Sequence, residues 1–422
     1  MAEESILTDD FLRELMNVGE VDILIGVPTL NDAATVGQVV QSIRSGLLKY
    51  FPRQRSVIVN VDGGSRDSTQ DIVRAASISD LAPGTNPSAL RTLHCISTTH
   101  ERSTENGTGL HTIVAAADLV RATICGVISP DSVSIEPEWI ERLLRPVSRD
   151  NVDMVTPIYR RNKFDGLLVR NLVYPMTRAL YCKQVREPHP ADFAFSGRLA
   201  SFFLEQDIWS QAVIQNGAET YFVISAITGG FRLTQSFLGS RPRVDHSSGD
   251  LVQALRQSVG VLFWALGKNF PTCPANSATE TITATGADAE PSMEPVRVNR
   301  KRLYQMFVHG LEELNPVLNS ILSASTLAEL NQAAATGEDR FQYSDDLWVR
   351  TVYEFASAYH KEVISPDHII QAMAPLYRGK TYTFLVENRD SSAGDVENNV
   401  ENLCLTFERL KPYLLEIWNG RK

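Results

Sequence analysis

Short apolar runs that alternate with helical patterns constrain the fold of this chain more than any other feature. Four runs read as buried strands, at 21–27, 56–61, 90–97 and 122–129. Between them, apolar residues recur at helical spacing, for example at Ile113, Val114 and Ala117. Strands that alternate with helices build βαβ units, so the sequence predicts an α/β fold around a mostly parallel sheet.

Each of these runs is followed directly by polar residues. Asp32, Asp62 and Asp131 come just past the first, second and fourth runs, and a polar loop at 100–109 follows the third. In parallel sheets, ligands bind at the carboxyl ends of the strands. We therefore expect these residues to lie at one edge of the sheet and to form the functional site.

Charge and composition exclude some classes of function. The 422 residues carry a net charge of −10, which disfavours a protein that coats nucleic acid. The sequence has no run of about 18 apolar residues and begins without a signal-peptide pattern, so we expect no membrane span and a cytoplasmic protein. The five cysteines are scattered and form no CxxC pair, which favours buried free thiols.

Composition changes along the chain and predicts three segments. Residues 1–270 form the sheet domain, 271–299 form a linker or long surface loop rich in Ala, Thr, Ser and Pro, and 300–422 form a helical region. In the last segment, apolar residues line one helix face from Val396 to Leu414. Such a stripe serves either the core of the same chain or the seam of a homodimer, and the second alternative predicts a homodimer.

Two motifs place an acid at the top of a strand. They read PTLNDAATV at 28–36 and DGGSRDST at 62–69. The glycines permit a tight turn, and a short carboxylate there can accept hydrogen bonds from a base edge or from ribose hydroxyls. The alternative is that Asp62 and Asp67 only cap the turn and the next helix.

These motifs and four later segments resemble retaining nucleotide-sugar glycosyltransferases of the type-A fold. The segments are DFAFSGRLA at 192–200, AITGGFRLTQSFLG at 226–239, PLYRGKTYTFLVE at 375–387 and PIYRRNKFDGLLVRNLVYPMTRALY at 157–181. Over most of its length the chain looks like the synthases of glucosylglycerate, glucosyl-3-phosphoglycerate and mannosylglycerate. The resemblance implies a Rossmann-like, mostly parallel sheet with flanking helices, followed by a C-terminal helical region.

The resemblance also implies roles for residues at the strand ends. A nucleotide diphosphate sugar donor would contact Asp131 and seven residues of the loops, Pro28, Leu30, Asp32, Asp62, Gly63, Asn106 and Gly107. Asp131 and Asp192 would act in catalysis, with Asp192 holding hydroxyls of the donor sugar. Glucose or mannose would be transferred with retention and without a protein nucleophile, so positioning and charge stabilisation would carry the catalysis.

The expected metal site departs from the pattern of these synthases. They carry Asp-x-Asp before the segment EPEWI, near a Mg²⁺ or Mn²⁺ ion, whereas this chain reads Ser129-Pro130-Asp131. Asp131 matches the second acid and is the expected ligand, and His246 is the second candidate, with Asp245 as its alternative. Because Ser129 brings no charge, we expect weakened binding of the divalent cation rather than loss of the site.

The acceptor of these synthases is a small anion such as glycerate or 3-phosphoglycerate, and the products are of the compatible-solute type. A carboxylate or phosphate calls for basic partners, for which Arg160, Arg161 and Lys163 form the nearest cluster. Two other functions stay open. The first is a nucleotide-sugar-binding protein without activity, which the departures at Ser129 and Asn106 favour. The second is an inverting transferase of similar fold that acts on a lipid or a polysaccharide.

Overall fold

The structure is a computed structural model of the chain, and it describes residues 6–78, 93–100, 106–241, 251–270, 273, 278–286 and 299–420. The chain forms two compact units. The first comprises Met1–Arg160, Pro190–Val244 and Ile282–Ser292, and the second comprises Arg161–His189, Asp245–Thr281 and Met293–Lys422. This division differs from the one predicted from composition, because parts of 1–270 belong to the second unit.

The first unit is built on a mixed, mostly parallel sheet. Its eight described strands are β1 Ile23–Thr29, β2 Ser56–Asp62, β3 Leu93–Thr99, β4 Ile124–Val127, β5 Met154–Arg160, β6 Phe193–Ser196, β7 Leu233–Ser240 and β8 Ala284–Thr285. They lie in the order β3-β2-β1-β4-β6-β5-β7-β8. Among these strands, β6 runs antiparallel to its neighbours β4 and β5, and the other pairs are parallel. The predicted α/β fold is confirmed.

The short strand β8 lies inside the segment that was predicted to be a linker. Ala284 pairs with Gln235 of β7, and the hydroxyl of Thr234 donates to the carbonyl oxygen of Thr283 at 2.9 Å. Backbone pairing therefore gives this part of 271–299 a place in the sheet. This pairing was not predicted, because two paired residues leave no periodic pattern in the sequence, and the assignment of 271–299 as a linker or surface loop stays a prediction.

Helices connect the strands of the first unit and cover the sheet. They are α1 Asp9–Val18, α2 Val36–Tyr50, α3 Thr69–Ile78, α4 Asn106–Leu119, α5 Pro137–Arg149, α7 Gly197–Leu204, α8 Ala212–Gln215 and α9 Glu219–Thr228. The apolar faces of α2 and α5 pack on the sheet, where Ile43 and Ile140 are buried in one cluster with Ile25. A Cβ atom on Gly26 would come within 2.5 Å of the Ile113 side chain, so glycine lets α4 pack closely on β1.

The second unit is helical. Its described helices are α6 Tyr174–Tyr181, α10 Leu251–Leu255, α11 Val261–Lys268, α12 Arg300–Glu313, α13 Asn315–Ile321, α14 Ala324–Ala335, α15 Asp345–His360, α16 Pro366–Glu387, α17 Ala393–Arg409 and α18 Lys411–Trp418. π-Helical turns at Val169–Val173 and Arg256–Gly260 lead into α6 and α11, and a 3₁₀ turn spans Glu338–Arg340. This unit confirms the predicted C-terminal helical region. In the described parts of the chain, every helix is too short or too polar to cross a bilayer.

The apolar stripe of α17 belongs to the core of the second unit. Val396, Val400 and Phe407 are buried, and α17 packs on α6. Arg178 of α6 reinforces this contact with an ion pair to Glu401 at 2.6 Å. The stripe has its partner inside the chain, which supports its role in the core, and the homodimer stays a prediction.

Two of the five cysteines form a disulfide, which corrects the prediction of free thiols. Cys182 follows α6, and its sulfur is bonded to that of Cys273, with the two Cα atoms 6.4 Å apart. Cys95, Cys125 and Cys404 are free. The sequence did not indicate this pairing, because the two residues are separated by 91 positions. Structural disulfides are rare in a reducing cytoplasm, so this bond does not support the cytoplasmic expectation.

The burial of α17 leads to a stability prediction. Replacing Phe407 with alanine should lower the free energy of unfolding by about 3–5 kcal/mol, because it leaves a cavity in the core. Leu405→Ala on the same helix is the matched control, since Leu405 is 49 % exposed and its loss should change stability by about 0.5 kcal/mol or less. Urea unfolding measures both. Equal stability of the two variants would show that this face is not core.

Candidate functional site

The register of the parallel strands brings three loops to one edge of the sheet. Thr29 of β1 lies opposite Asp62 of β2, and Gly26 of β1 lies opposite Val127 of β4. β1 and β2 therefore end at the same level, and β4 ends three residues earlier at the same edge of the sheet. The loops that were predicted to bind the donor start from this common edge.

Asp62 organises the loop that follows β2. Its buried carboxylate accepts hydrogen bonds from the hydroxyls of Thr29 and Ser65 at 3.0 and 2.6 Å. The backbone N–H groups of Gly64 and Ser65 and the side-chain amide of Gln70 donate to it as well, at 3.1, 2.9 and 2.8 Å. These five donors account for Asp62 without any ligand. Its contact with a nucleotide stays a prediction.

The balance of burial and hydrogen bonding decides the ionisation of Asp62. Burial by itself raises the pKa of its carboxyl group. The hydrogen bonds from Ser65, Gln70 and Thr29 act in the opposite direction and together lower the pKa below its ordinary value of 3.8. The ionised form is therefore the one that holds the turn together at neutral pH.

The loop after β1 is tied to the loop after β2 by direct hydrogen bonds. The backbone N–H of Asn31 donates to the hydroxyl of Ser65 at 2.8 Å, and the N–H of Arg66 donates to the Asn31 side chain at 2.9 Å. The N–H of Asp32 donates to the hydroxyl of Thr69 at 2.8 Å. We call these joined loops, residues 28–36 and 62–69, the two-loop platform. The sequence predicted both motifs but not the bonds between them.

The other predicted donor contacts of these loops belong to the platform. Pro28 and Leu30 are half-buried, and the N–H of Leu30 donates to the carboxylate of Asp32 at 2.7 Å. The N–H of Gly63 donates to the carbonyl oxygen of Thr29 at 2.8 Å. Their side chains and backbone are therefore positioned at the sheet edge, as predicted, while a donor contact is not tested.

Gly107 has a packing role that the sequence did not reveal. It lies in the first turn of α4, which begins at Asn106. A Cβ atom on Gly107 would come within 2.0 Å of the carbonyl oxygen of Ile214, so this position accepts only glycine. The side chain of Asn106 lies outside the described residues, and its predicted donor contact is not tested.

An ionic cluster lies next to β4, and we call it the Arg241 centre. It consists of Ser129, Asp131, Tyr159, Asp192 and Arg241. Arg241 donates from Nη2 to the Asp131 carboxylate at 2.7 Å and from Nη1 to the Asp192 carboxylate at 2.9 Å. The hydroxyl of Ser129 donates to Asp131, and the hydroxyl of Tyr159 donates to Asp192. One guanidinium thus joins the two acids that were predicted to act in catalysis.

Burial makes this pairing necessary. The Asp192 side chain is fully buried and the Arg241 side chain is 11 % exposed, so an unpaired charge on either would be costly. Asp192 accepts further hydrogen bonds from the backbone N–H of Ser129 at 2.9 Å and from the hydroxyl of Ser132. Burial alone lowers the pKa of Arg241, but its interactions with the carboxylates of Asp192 and Asp131 and with the Tyr159 hydroxyl raise it above its ordinary value. The guanidinium remains charged.

The described residues do not fit a bound divalent cation. One carboxylate oxygen of Asp131 already accepts hydrogen bonds from Arg241 and Ser129. Among the described residues there is no group of three His, Cys, Asp or Glu side chains that could hold a metal ion. His246, the second predicted ligand, and its alternative Asp245 lie outside the described residues.

The three basic residues predicted to bind the acceptor differ in their contacts. Arg160 ends β5, and its carbonyl oxygen accepts from the N–H of Arg241 at 3.3 Å. Arg161 pairs with Glu187 at 3.1 Å. Lys163 donates to three carbonyl oxygens, those of Asn388, Arg389 and Ser391, at 3.0, 2.8 and 2.9 Å. These bonds use the three protons of an ammonium group, so Lys163 is not available to an acceptor in this structure.

Sequence reasoning missed Arg241, Tyr159 and Ser132. Tyr159 lies in β5, and Arg241 is the first residue after β7. The signal that marked the acids, a polar residue at the end of a strand, also applies to Arg241. The signal is weak here because β7 reads LTQSFLGS, and this segment contains too few apolar residues to be predicted as a buried strand.

Comparison with known families gives a partial match. Residues 24–209, less than half of the chain, match the family described as "Glycosyl transferase family 2". This match confirms the glycosyltransferase resemblance of the motifs and supports a transferase. It ends before β7 and therefore does not include Arg241. No curated protein matches the sequence.

Solved structures of one enzyme are similar to the chain in fold. The glucosyl-3-phosphoglycerate synthase of Mycobacterium tuberculosis in complex with Mg²⁺ and UDP has 20 % sequence identity and a TM-score of 0.43, and the match covers 63 % of this chain and 85 % of that one. Its complex with Mn²⁺, UDP-glucose and phosphoglyceric acid also has 20 % identity and a TM-score of 0.43, with coverage of 64 % and 86 %. Similarity at this level does not establish a shared substrate, metal or mechanism.

The role of Asp62 can be tested through stability. Asp62→Asn should lower the free energy of unfolding by about 1–3 kcal/mol at neutral pH, because an amide cannot accept all five hydrogen bonds. Because the folded pKa lies below the unfolded value, this stabilisation is present above the unfolded value of 3.8 and is lost as the pH falls toward the folded pKa. Thermal unfolding of both proteins should therefore converge in acid.

Asp71→Asn is the matched control for this experiment. Asp71 lies in α3 with its side chain 81 % exposed, so its replacement should change stability by about 0.5 kcal/mol or less. If Asp62→Asn were as stable as wild type at neutral pH, Asp62 would not organise the turn, and its carboxylate would be free for the predicted nucleotide contact.

Proposed function

We propose that this protein is a glycosyltransferase that moves a hexose, glucose or mannose, from a nucleotide diphosphate sugar to a small anionic acceptor. The observation that carries the proposal is the placement of the two-loop platform and the Arg241 centre around the carboxyl ends of β1, β2 and β4. In α/β sheets this is where nucleotides bind. The match of residues 24–209 to a glycosyltransferase family supports the same conclusion.

The platform offers the groups that a nucleoside requires. Asp32 is half-buried at the end of β1, and Asn31 beside it holds a positive φ of 59°. Carboxylate and backbone groups there are suited to a base edge or to ribose hydroxyls. Because the loop is fixed by hydrogen bonds to the neighbouring loop, little conformational entropy is lost when the nucleoside binds.

We further propose that transfer proceeds with retention. Asp131 and Asp192 are both held by N–H and O–H donors, so neither is placed to take a proton from an acceptor. Asp131 would help to position the donor sugar, while Asp192, whose side chain is fully buried, would set the local charge through Arg241. Such roles suit a reaction on one face of the sugar. The proton of the acceptor would pass to the departing diphosphate. The anomeric configuration of the product, read by NMR, tests this point.

The acceptor is proposed to be glycerate, 3-phosphoglycerate or a similar small anion. Arg160 and Arg161 remain the predicted contacts for its carboxylate or phosphate. Lys163 is withdrawn from this role because its ammonium is engaged by three backbone carbonyls.

Metal assistance through Asp131 and His246 remains a prediction from the sequence. The ion pair of Asp131 with Arg241 counts against it, and we derive no step of the reaction through a metal ion.

A nucleotide-sugar-binding protein without activity is the second candidate. It is favoured by one observation, namely that Asp131 is paired with Arg241 and that Ser129 stands where the resembled synthases carry the first acid of Asp-x-Asp. Such a protein would bind the donor as firmly as the enzyme does. Binding without release of nucleoside diphosphate in the presence of acceptor distinguishes the two.

The decisive experiment combines binding and turnover. Thermal unfolding is followed with UDP-glucose and with GDP-mannose, and a ligand at about 100 times its Kd should stabilise the fold by about 2.7 kcal/mol. Asp131→Asn should reduce this stabilisation, while Asp118→Asn, which changes an exposed acid in α4 outside the site, should not. Release of nucleoside diphosphate with 3-phosphoglycerate present then measures transfer. No stabilisation by any nucleotide sugar would contradict the proposal.

A further inference from the structure

The guanidinium of Arg241 lies between two carboxylates, as a bound metal cation would. Its guanidinium contacts Asp131 at 2.7 Å and Asp192 at 2.9 Å. Asp131 lies in the loop after β4, and Asp192 directly precedes β6. Both contacts are charge-assisted hydrogen bonds with the lengths expected for strong pairs. The guanidinium therefore neutralises the same carboxylates that a divalent cation at this position would neutralise.

The side chain of Arg241 is fixed in this position by more than its two ion pairs. Its backbone N–H donates to the carbonyl oxygen of Arg160 at 3.3 Å, which continues the pairing of β7 with β5. The guanidinium carbon lies 5.2 Å from the centre of the Tyr159 ring, and Nη1 donates to the Tyr159 hydroxyl at 3.2 Å. Several independent contacts thus oppose its displacement by a metal ion.

A count of charges points in the same direction. Asp131 and Asp192 contribute −2 and Arg241 contributes +1, so the three described side chains carry −1 together. With an acid in place of Ser129 the total would be −2. Because the Coulomb attraction is proportional to charge, the centre attracts a divalent cation about half as strongly as that site would.

Arg241 also retains groups that can face an anion. A guanidinium has five N–H donors. Nη1 donates to Asp192 and to Tyr159, and Nη2 donates once, to Asp131. The Nε proton and the second Nη2 proton make no hydrogen bond with any residue that the structure describes. Two donors on a fixed positive charge match the geometry of phosphate oxygens.

We propose that Arg241 is the cation of this site, so that the diphosphate of the donor is bound by its guanidinium and a divalent metal ion is not required. The inference rests on the proposed function for the identity of the ligand. Its statement about the metal stands on the geometry of the Arg241 centre alone.

The first experiment tests the metal without any nucleotide. Mn²⁺ is titrated into the wild-type protein, and the free ion is followed by electron paramagnetic resonance. We expect no stoichiometric binding. Binding of one ion per chain that is lost in Asp131→Asn would overturn the proposal. Because the measurement uses wild type, it does not depend on whether a variant of Arg241 folds.

The second experiment measures donor binding with EDTA and with Mn²⁺. The Kd of the wild type for UDP-glucose or GDP-mannose should agree within about twofold in the two conditions, as expected if no ion is part of the site. In EDTA, Arg241→Lys should weaken binding by about tenfold or more, because a lysine cannot reproduce the fork of N–H donors. Binding that appears only with Mn²⁺ would overturn the proposal.

Arg198→Lys is the matched control. Arg198 pairs with Asp153 at 2.7 Å in the same unit, but it takes no part in the Arg241 centre. Its replacement should leave the Kd for the donor unchanged within about twofold. If neither nucleotide sugar binds in any condition, the proposed function fails and the donor half of this inference fails with it. The Mn²⁺ titration still decides the half that concerns the metal.

Discussion

The parallel register of β1 with β2 and β4 is the constraint on which the candidate site depends. It places Thr29 opposite Asp62 and Gly26 opposite Val127, so three loops leave the sheet at one edge, and those after β1 and β2 leave it at the same level. A shift of the register by one residue would turn buried side chains toward the helices on the opposite face and would separate these loops. Dense apolar packing of α2, α4 and α5 on the sheet fixes the register, and the site inherits its geometry from this core.

Two buried carboxylates at this edge, those of Asp62 and Asp192, are stabilised in different ways. Asp62 is stabilised by five neutral hydrogen-bond donors of its own turn and of its neighbours. Asp192 is equally buried but is satisfied by a full positive charge from Arg241 as well as by hydroxyl and backbone donors. The first arrangement makes a rigid turn. The second holds a guanidinium in the ionic cluster on which the proposed diphosphate site rests.

The helical unit shows how one sequence pattern can serve two structural roles. The stripe from Val396 to Leu414 has the spacing of a helix face that packs on another helix, and the spacing does not say which helix. In the structure α6 packs on α17 and covers part of this stripe, and the ion pair of Arg178 with Glu401 lies at that contact. The residues of α6 precede α17 by more than two hundred positions, so local periodicity could not assign this contact.

The sequence by itself determined the elements and one side of the site. Alternating apolar runs gave the α/β sheet, and the acids at strand ends gave Asp32, Asp62, Asp131 and their common edge, because these features depend on neighbours along the chain. The tertiary structure alone decided the partners of those acids. Arg241 meets Asp131 across 110 residues, Tyr159 meets Asp192 across 33, and Cys182 meets Cys273 across 91. Such contacts follow from strand order and packing, which bring distant segments of the chain together, and a local sequence pattern does not predict them.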